Sequence, residues 1–165
     1  MAAIGIIGRD GRMGQAIAAA IEGGEHTLAG AVDKGEDVAG LADRSEVLID
    51  FSAPQALEGN LHAAVGAGVP LLIGTTGLEE AHHTAIDNAA RAVAVLQTGN
   101  TSLGVNLLCV MTEKVAKALG PGWDVEIVEM HHRMKVDAPS GTAILLGEAA
   151  ARGRGIDLAA NTESG

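Results

Sequence analysis

Ala3-Ile4-Gly5-Ile6-Ile7-Gly8-Arg9-Asp10-Gly11-Arg12-Met13-Gly14-Gln15-Ala16-Ile17-Ala18-Ala19-Ala20-Ile21 decides the reading of the fold. A short apolar run gives way to glycines, and apolar residues then recur at helical spacing, so the stretch reads as strand, turn, helix. The pattern repeats downstream. Residues 27–33, 47–52, 70–73 and 93–96 read as strands apolar enough for burial on both faces, with helices over 54–67 and 78–92 between them. Such alternation predicts an α/β fold with a doubly wound parallel sheet of the Rossmann kind.

After residue 97 the pattern changes. Residues 97–104 are polar and read as a linker, 105–119 as a helix, 124–129 as a strand with one wet face, and 143–151 as a short helix. The expected division is a Rossmann domain over 1–97, then a linker and the first part of an α+β domain over 98–165.

Composition narrows the function classes. Of 165 residues 47% are hydrophobic, enough for a full core, yet Phe51 and Trp123 are the sole aromatics, so that core is built from Ala, Val, Ile and Leu. Acidic residues outnumber basic ones 21 to 11, and a net charge of -10 with no aromatics to stack on bases argues against nucleic acid. The single Cys109 has no partner for an internal disulfide, and its apolar neighbours suggest a small buried hydrophobe. Arg9-Asp10 interrupts the apolar residues 1–8 before they reach signal-peptide length, and no later run approaches membrane length. A cytoplasmic protein with no membrane partner is expected.

Gly8, Gly11 and Gly14 lie between the first strand and the first helix, where backbone amides can meet a pyrophosphate and side chains would block it. Asp10 stands where G-x-G-x-x-G has its middle glycine, and the glycines alone also fit an ordinary turn. Asp33 strengthens the dinucleotide reading, because it ends the second strand about 20 residues on, where an acid would bind the adenine ribose. Lys34 is placed to neutralise a 2′-phosphate that Asp33 would repel, or is a solvated loop lysine, so NAD and NADP both stay open. Arg12 is also placed to face phosphate. Gly74-Thr75-Thr76-Gly77 follows the fourth strand at the carboxyl edge, where it suits a nicotinamide and its ribose, or forms a tight turn whose threonines cap the next helix.

A second concentration runs from Glu129 to Ala143, with His131, His132, Arg133, Lys135, Ser140 and Thr142 within it. Ser140 or Thr142 near a helix start would leave amides and a helix dipole favouring a bound carboxylate, and Arg133 and Lys135 add positive charge. Hydride delivery to a polarised double bond leaves charge that a proton must meet, and histidine titrates in the useful range. A solvated cationic loop, a helix-capping turn and a metal site of Glu129, His131 and His132 are competing readings. Adjacent histidines on a strand point to opposite faces and no cysteine joins them, which weakens the last. His26, His62, His82 and His83 read as surface residues without partners.

The run His131-His132-Arg133-Met134-Lys135-Val136-Asp137-Ala138-Pro139-Ser140-Gly141-Thr142-Ala143 resembles the 4-hydroxy-tetrahydrodipicolinate reductase (dihydrodipicolinate reductase) family of lysine and diaminopimelate biosynthesis. Gly8 to Gly14, Ile49-Asp50-Phe51-Ser52, Gly74 to Gly77 and Asn100-Thr101-Ser102-Leu103-Gly104-Val105-Asn106 extend it, in the family's order, over nearly the whole chain. The resemblance implies a homotetramer, if the full-length domain is present, that reduces a small cyclic dicarboxylate with NADH or NADPH. It places the cofactor on Gly8, Arg9, Asp10, Gly11, Arg12, Met13, Asp33, Lys34, Gly74, Thr75, Thr76, Thr98, Gly99, Asn100 and Thr101. It also implies that His131 gives or takes a proton, that Lys135 donates one, and that His132, Ser140, Gly141 and Thr142 hold the substrate carboxylates. Thr101 departs from the aromatic of many relatives, the segment between Asp33 and Val47 is short, and the family's chains continue past Gly165, so a fragment is expected. A nucleotide-binding module without turnover, and another Rossmann oxidoreductase acting on an imino or amino acid, are the alternatives.

Overall fold

The computed structural model describes residues 1–131, 133 and 138–163. They fall into two compact units, Met1–Thr98 and Gly99–Gly165.

In the first unit the chain runs β1 (Ala3–Ile7), α1 (Arg12–Glu22), β2 (Thr27–Val32), α2 (Val38–Ala42), β3 (Val47–Asp50), α3 (Leu57–Ala67), β4 (Leu71–Ile73), α4 (Glu80–Ala89) and β5 (Val95–Gln97). The strands form one sheet in the order β2-β1-β3-β4-β5, and every neighbouring pair is parallel. The doubly wound parallel sheet expected from the alternating pattern is therefore present. The side-chain period of two sends Ile4 and Ile6 to one face, where they pack with Ile17, Ala18 and Ile21 of α1. Ile7, Leu48, Leu71 and Ile73 pack on the other with Leu41, Leu57, Leu61 and Ile86 from α2, α3 and α4. Leu41, Leu48, Leu57 and Leu71 are buried, and each contributes roughly 1.5–3 kcal/mol by leaving water.

The direction in which strands are added to the sheet reverses between β1 and β3. After β1 the chain moves outward to β2, then returns to the opposite side of β1, so the carboxyl ends of β1 and β3 flank a topological switch point, where open parallel sheets bind ligands. Ile7 pairs with Asp50 and Asp50 with Ile73, which puts Gly8, Phe51 and Gly74 at one edge. The helix α2 was not foreseen in sequence. It has five residues, too few for a periodic signal, and its start is marked by Asp37, whose carboxylate accepts from Gly40 N at 2.9 Å.

The second unit contains α5 (Leu103–Leu119) and α6 (Gly141–Arg154). Ser102 and Ser140 cap them, their hydroxyls accepting from Val105 N at 3.4 Å and Ala143 N at 3.1 Å. The two helices pack closely enough that a Cβ on Gly153 would lie 2.3 Å from the Glu113 carbonyl oxygen, and Arg152 Nε reaches Glu113 Oε2 at 3.2 Å. Along α5, Leu107, Leu108, Val110, Met111 and Val115 stand about half exposed. Cys109 is partly exposed, not the fully buried hydrophobe expected. Residues 124–129 are not a strand. Alternation alone does not make one, since a strand needs a neighbour for its N–H and C=O groups, and no described segment of this unit supplies it. No described helix is long and apolar enough to cross a membrane.

Candidate functional site

The loop from β1 to α1 is held against the end of β2. Gly8 N and Arg9 N both donate to Val32 O, at 2.9 and 3.0 Å, and Gly11 N donates to Gly8 O at 3.2 Å. Gly8 has φ +93°, and a Cβ there would meet the Phe51 carbonyl oxygen at 2.5 Å; a Cβ on Gly14 would lie 2.1 Å from the Gly8 carbonyl oxygen. Both positions therefore require glycine, and the helix starts hard against the loop. The N-cap of α1 is Gly11, no side chain caps the helix, and its first turn carries no acid. The start of α1 thus carries neither a side-chain cap nor an acid in its first turn, and the positive end of its dipole has a polarity that fits a pyrophosphate. Arg12 and Met13 are exposed at this same end.

Asp33 follows the last residue of β2. Its carboxylate accepts from Asp10 N and Lys34 N, both at 2.8 Å. These two backbone bonds hold its pKa below the ordinary carboxylate value. Asp10, where the expected motif has a glycine, thereby orients the Asp33 carboxylate through its backbone. The Arg9 guanidinium turns to Glu36 and Asp10, at 2.9 Å from each. Glu36 is held ionised by this contact first and by the Asp33 N–H second. Lys34 is exposed.

At the same edge of the sheet, Gly74 N donates to Asp50 O at 2.8 Å, and a Cβ on Gly74 would lie 2.2 Å from the Phe51 ring. The Thr75 hydroxyl is turned inward to Asp50 Oδ1 at 3.3 Å, while Thr76 is exposed. Neither threonine caps α4, whose N-cap is Glu79 with its N–H donated to His82 Nδ1 at 2.9 Å. His82 is thus partnered, as is His26, whose Nδ1 accepts from Ala2 N at 3.2 Å, against the expectation for both. Thr98 N extends the β4 ladder by donating to Ile73 O at 2.9 Å.

Sequence reasoning missed the group behind this loop. Asp50, buried at the end of β3, accepts from Ser52 N at 2.8 Å, Ser52 Oγ at 2.6 Å, Asn60 Nδ2 at 2.9 Å and Thr75 Oγ1. The available signal was a charged residue ending an otherwise apolar run, with polar residues just beyond.

In the second unit Gly99 and Thr101 are exposed, and Asn100 Nδ2 donates to Thr142 Oγ1 at 3.2 Å. That bond joins a residue expected on the cofactor to one expected on the substrate. The Glu129 carboxylate accepts from Ser140 N at 2.7 Å and from the Ser140 hydroxyl, and lies 3.6 Å from His131 Nδ1. Gly141 opens α6 and is exposed. His132 and Lys135 lie outside the described residues, and with them the metal reading, which needs His132.

Residues 2–101 match the family described as dihydrodipicolinate reductase, N-terminus, and residues 104–164 match dihydrodipicolinate reductase, C-terminus. Among curated relatives, a 4-hydroxy-tetrahydrodipicolinate reductase of Zymomonas mobilis subsp. mobilis is 52% identical over 94% of this chain and 64% of its own. One from Cereibacter sphaeroides is 45% identical over 97% of this chain and 68% of its own. The chain thus spans about two thirds of the length of these relatives. A solved structure of dipicolinate-bound dihydrodipicolinate reductase from Paenisporosarcina sp. TG-14 superposes with a TM-score of 0.71, at 24% identity, over 93% of this chain and 67% of that one, and shares the fold. A probable dehydrogenase from Thermotoga maritima shares it more loosely, with a TM-score of 0.51 at 18% identity, over 70% of this chain and 39% of that one.

Proposed function

The chain belongs to the dihydrodipicolinate reductase family, and on that premise we propose that it serves the reduction of 4-hydroxy-tetrahydrodipicolinate to tetrahydrodipicolinate with NADH or NADPH, in lysine and diaminopimelate biosynthesis. The observation that carries this is the bare start of α1, closed in by Gly8 and Gly14 and flanked by Asp33 at the end of β2.

In this reading residues 1–97 are the dinucleotide-binding domain, and 98–165 form the linker and part of the substrate and tetramer domain. Backbone amides from Gly8 to Met13 take the pyrophosphate, Asp33 takes the adenine ribose, and Gly74, Thr75 and Thr76 with Thr98, Gly99, Asn100 and Thr101 take the nicotinamide end. A reduced nicotinamide, when bound, supplies the hydride. His131 gives or takes a proton and Lys135 donates one where negative charge develops on the substrate. His132, Ser140, Gly141 and Thr142 hold the two carboxylates at the start of α6, the Ser140 N–H and hydroxyl exchanging Glu129 for the substrate. The bond between Asn100 and Thr142 supports this reading, since it ties a cofactor-side residue to a substrate-side one.

The test is oxidation of NADH and NADPH by the chain with substrate made in place by condensing aspartate semialdehyde with pyruvate. Consumption that needs the complete mixture supports the reductase. Bound nucleotide with no consumption leaves a nucleotide-binding module, and no nucleotide binding overturns the reading.

A further inference from the structure

The adenosine corner carries more charge than a pyrophosphate site needs. Arg9 Nη1 and Nη2 meet Glu36 Oε2 and Oε1 at 2.9 and 3.1 Å, a two-pronged pair. Its Nε meets Asp10 Oδ1 at 2.9 Å, and Nη1 also donates to Ala31 O at 3.3 Å. Every nitrogen of the guanidinium is engaged. Glu36 Oε2 also accepts from Asp33 N at 2.9 Å, so the clasp closes on the residue that faces the ribose.

We propose that Glu36, by holding Arg9 in this clasp, is a specificity-determining residue that favours a free ribose 2′-hydroxyl over a 2′-phosphate, and hence NADH over NADPH. The inference rests on the dinucleotide reading above. A 2′-hydroxyl donates to the Asp33 carboxylate and leaves the clasp alone. A 2′-phosphate instead brings up to two negative charges toward Asp10, Asp33 and Glu36. An arginine nearby is the usual answer to that phosphate, but here the nearby arginine is spent on two carboxylates. Arg12, exposed at the start of α1, is placed at the pyrophosphate, and Lys34 remains beside Asp33 as the counter-charge; an exposed lysine on a flexible stem holds a phosphate less firmly than a guanidinium fork.

The test is fluorescence titration of the 165-residue chain with NADH and NADPH at low salt, on the unaltered protein and on Glu36→Gln, Arg9→Ala and the double variant. Glu36→Gln removes one negative charge and releases one side of Arg9, so the preference for NADH should fall by about tenfold, less at high ionic strength. In the Arg9→Ala background the same change should move it clearly less, because only the lost charge of Glu36 remains and the released guanidinium does not. A merely structural role would weaken both nucleotides alike, and that result overturns the proposal. So does an unchanged preference in Glu36→Gln, or a full gain without Arg9. Failure of the unaltered chain to bind either nucleotide strikes instead at the dinucleotide reading, and takes the proposal with it.

Discussion

Asn60 Nδ2 donates to Asp50 Oδ2 at 2.9 Å, fastening α3 to the last residue of β3 where both side chains are buried. With the two bonds from Ser52 and one from Thr75, the Asp50 carboxylate collects four donors, which offsets the cost of burying its charge. Asp50→Ala strips all four at once and leaves buried donors unmet. It should destabilise the chain by about 3 kcal/mol in urea unfolding, with Asp50→Asn milder. A loss under about 1 kcal/mol for the alanine would refute this account of the network.

The Phe51 ring occupies the space that a side chain at position 74 would need. Gly74→Ala should therefore cost about 1–3 kcal/mol and weaken nucleotide binding, since ring or loop must shift. Trimming the ring in Gly74→Ala/Phe51→Leu should recover part of that loss. Strictly additive effects in the double-mutant cycle would show that the ring is not the obstacle.

If Lys135 donates a proton, Lys135→Ala should depress turnover by about 100-fold or more while leaving NADH or NADPH affinity nearly unchanged. Equal losses in both, by steady-state kinetics and direct titration, would contradict that role.

Folding holds the carboxyls of Asp33 and Glu36 below their ordinary values, through backbone bonds from Asp10 and Lys34 in one case and the Arg9 contact in the other, while Arg9 is raised. A carboxyl depressed by folding adds stability above its unfolded value, near pH 4, and loses it as pH falls through its folded value. The clasp should thus persist from neutrality to about pH 4 and open only in stronger acid. Carboxyl-carbon NMR titration reads it directly, and a Glu36 midpoint above the ordinary range would exclude the pairing with Arg9.

How far the sequence reaches differs between the two units. The strands could be read as compact apolar runs and the longer helices from their helical period, with Gly8, Gly14 and Asp33 where such a fold puts a nucleotide. Short or partner-dependent features could not. The five-residue α2 has no period to detect, and 124–129 keeps the alternation of a strand without a neighbour among the described residues to pair with. The Asp50 cluster joins residues from a strand end, a loop and two other segments, so only folding brings Asn60 and Thr75 to one carboxylate. The clasp escaped for the same reason: Arg9 and Glu36 are 27 positions apart, and nothing local marks them as partners.

The half-bare leucines, valines and methionine along α5 have a consequence for the colloidal behaviour of the chain. A net charge of -10 keeps copies apart at low salt, while those side chains favour sticking whenever copies meet. Added electrolyte shortens the reach of the repulsion to about 3 Å at 1 M and leaves the apolar attraction in force. Light scattering should therefore show aggregates growing as salt rises, so that conditions chosen to solubilise most proteins would precipitate this one.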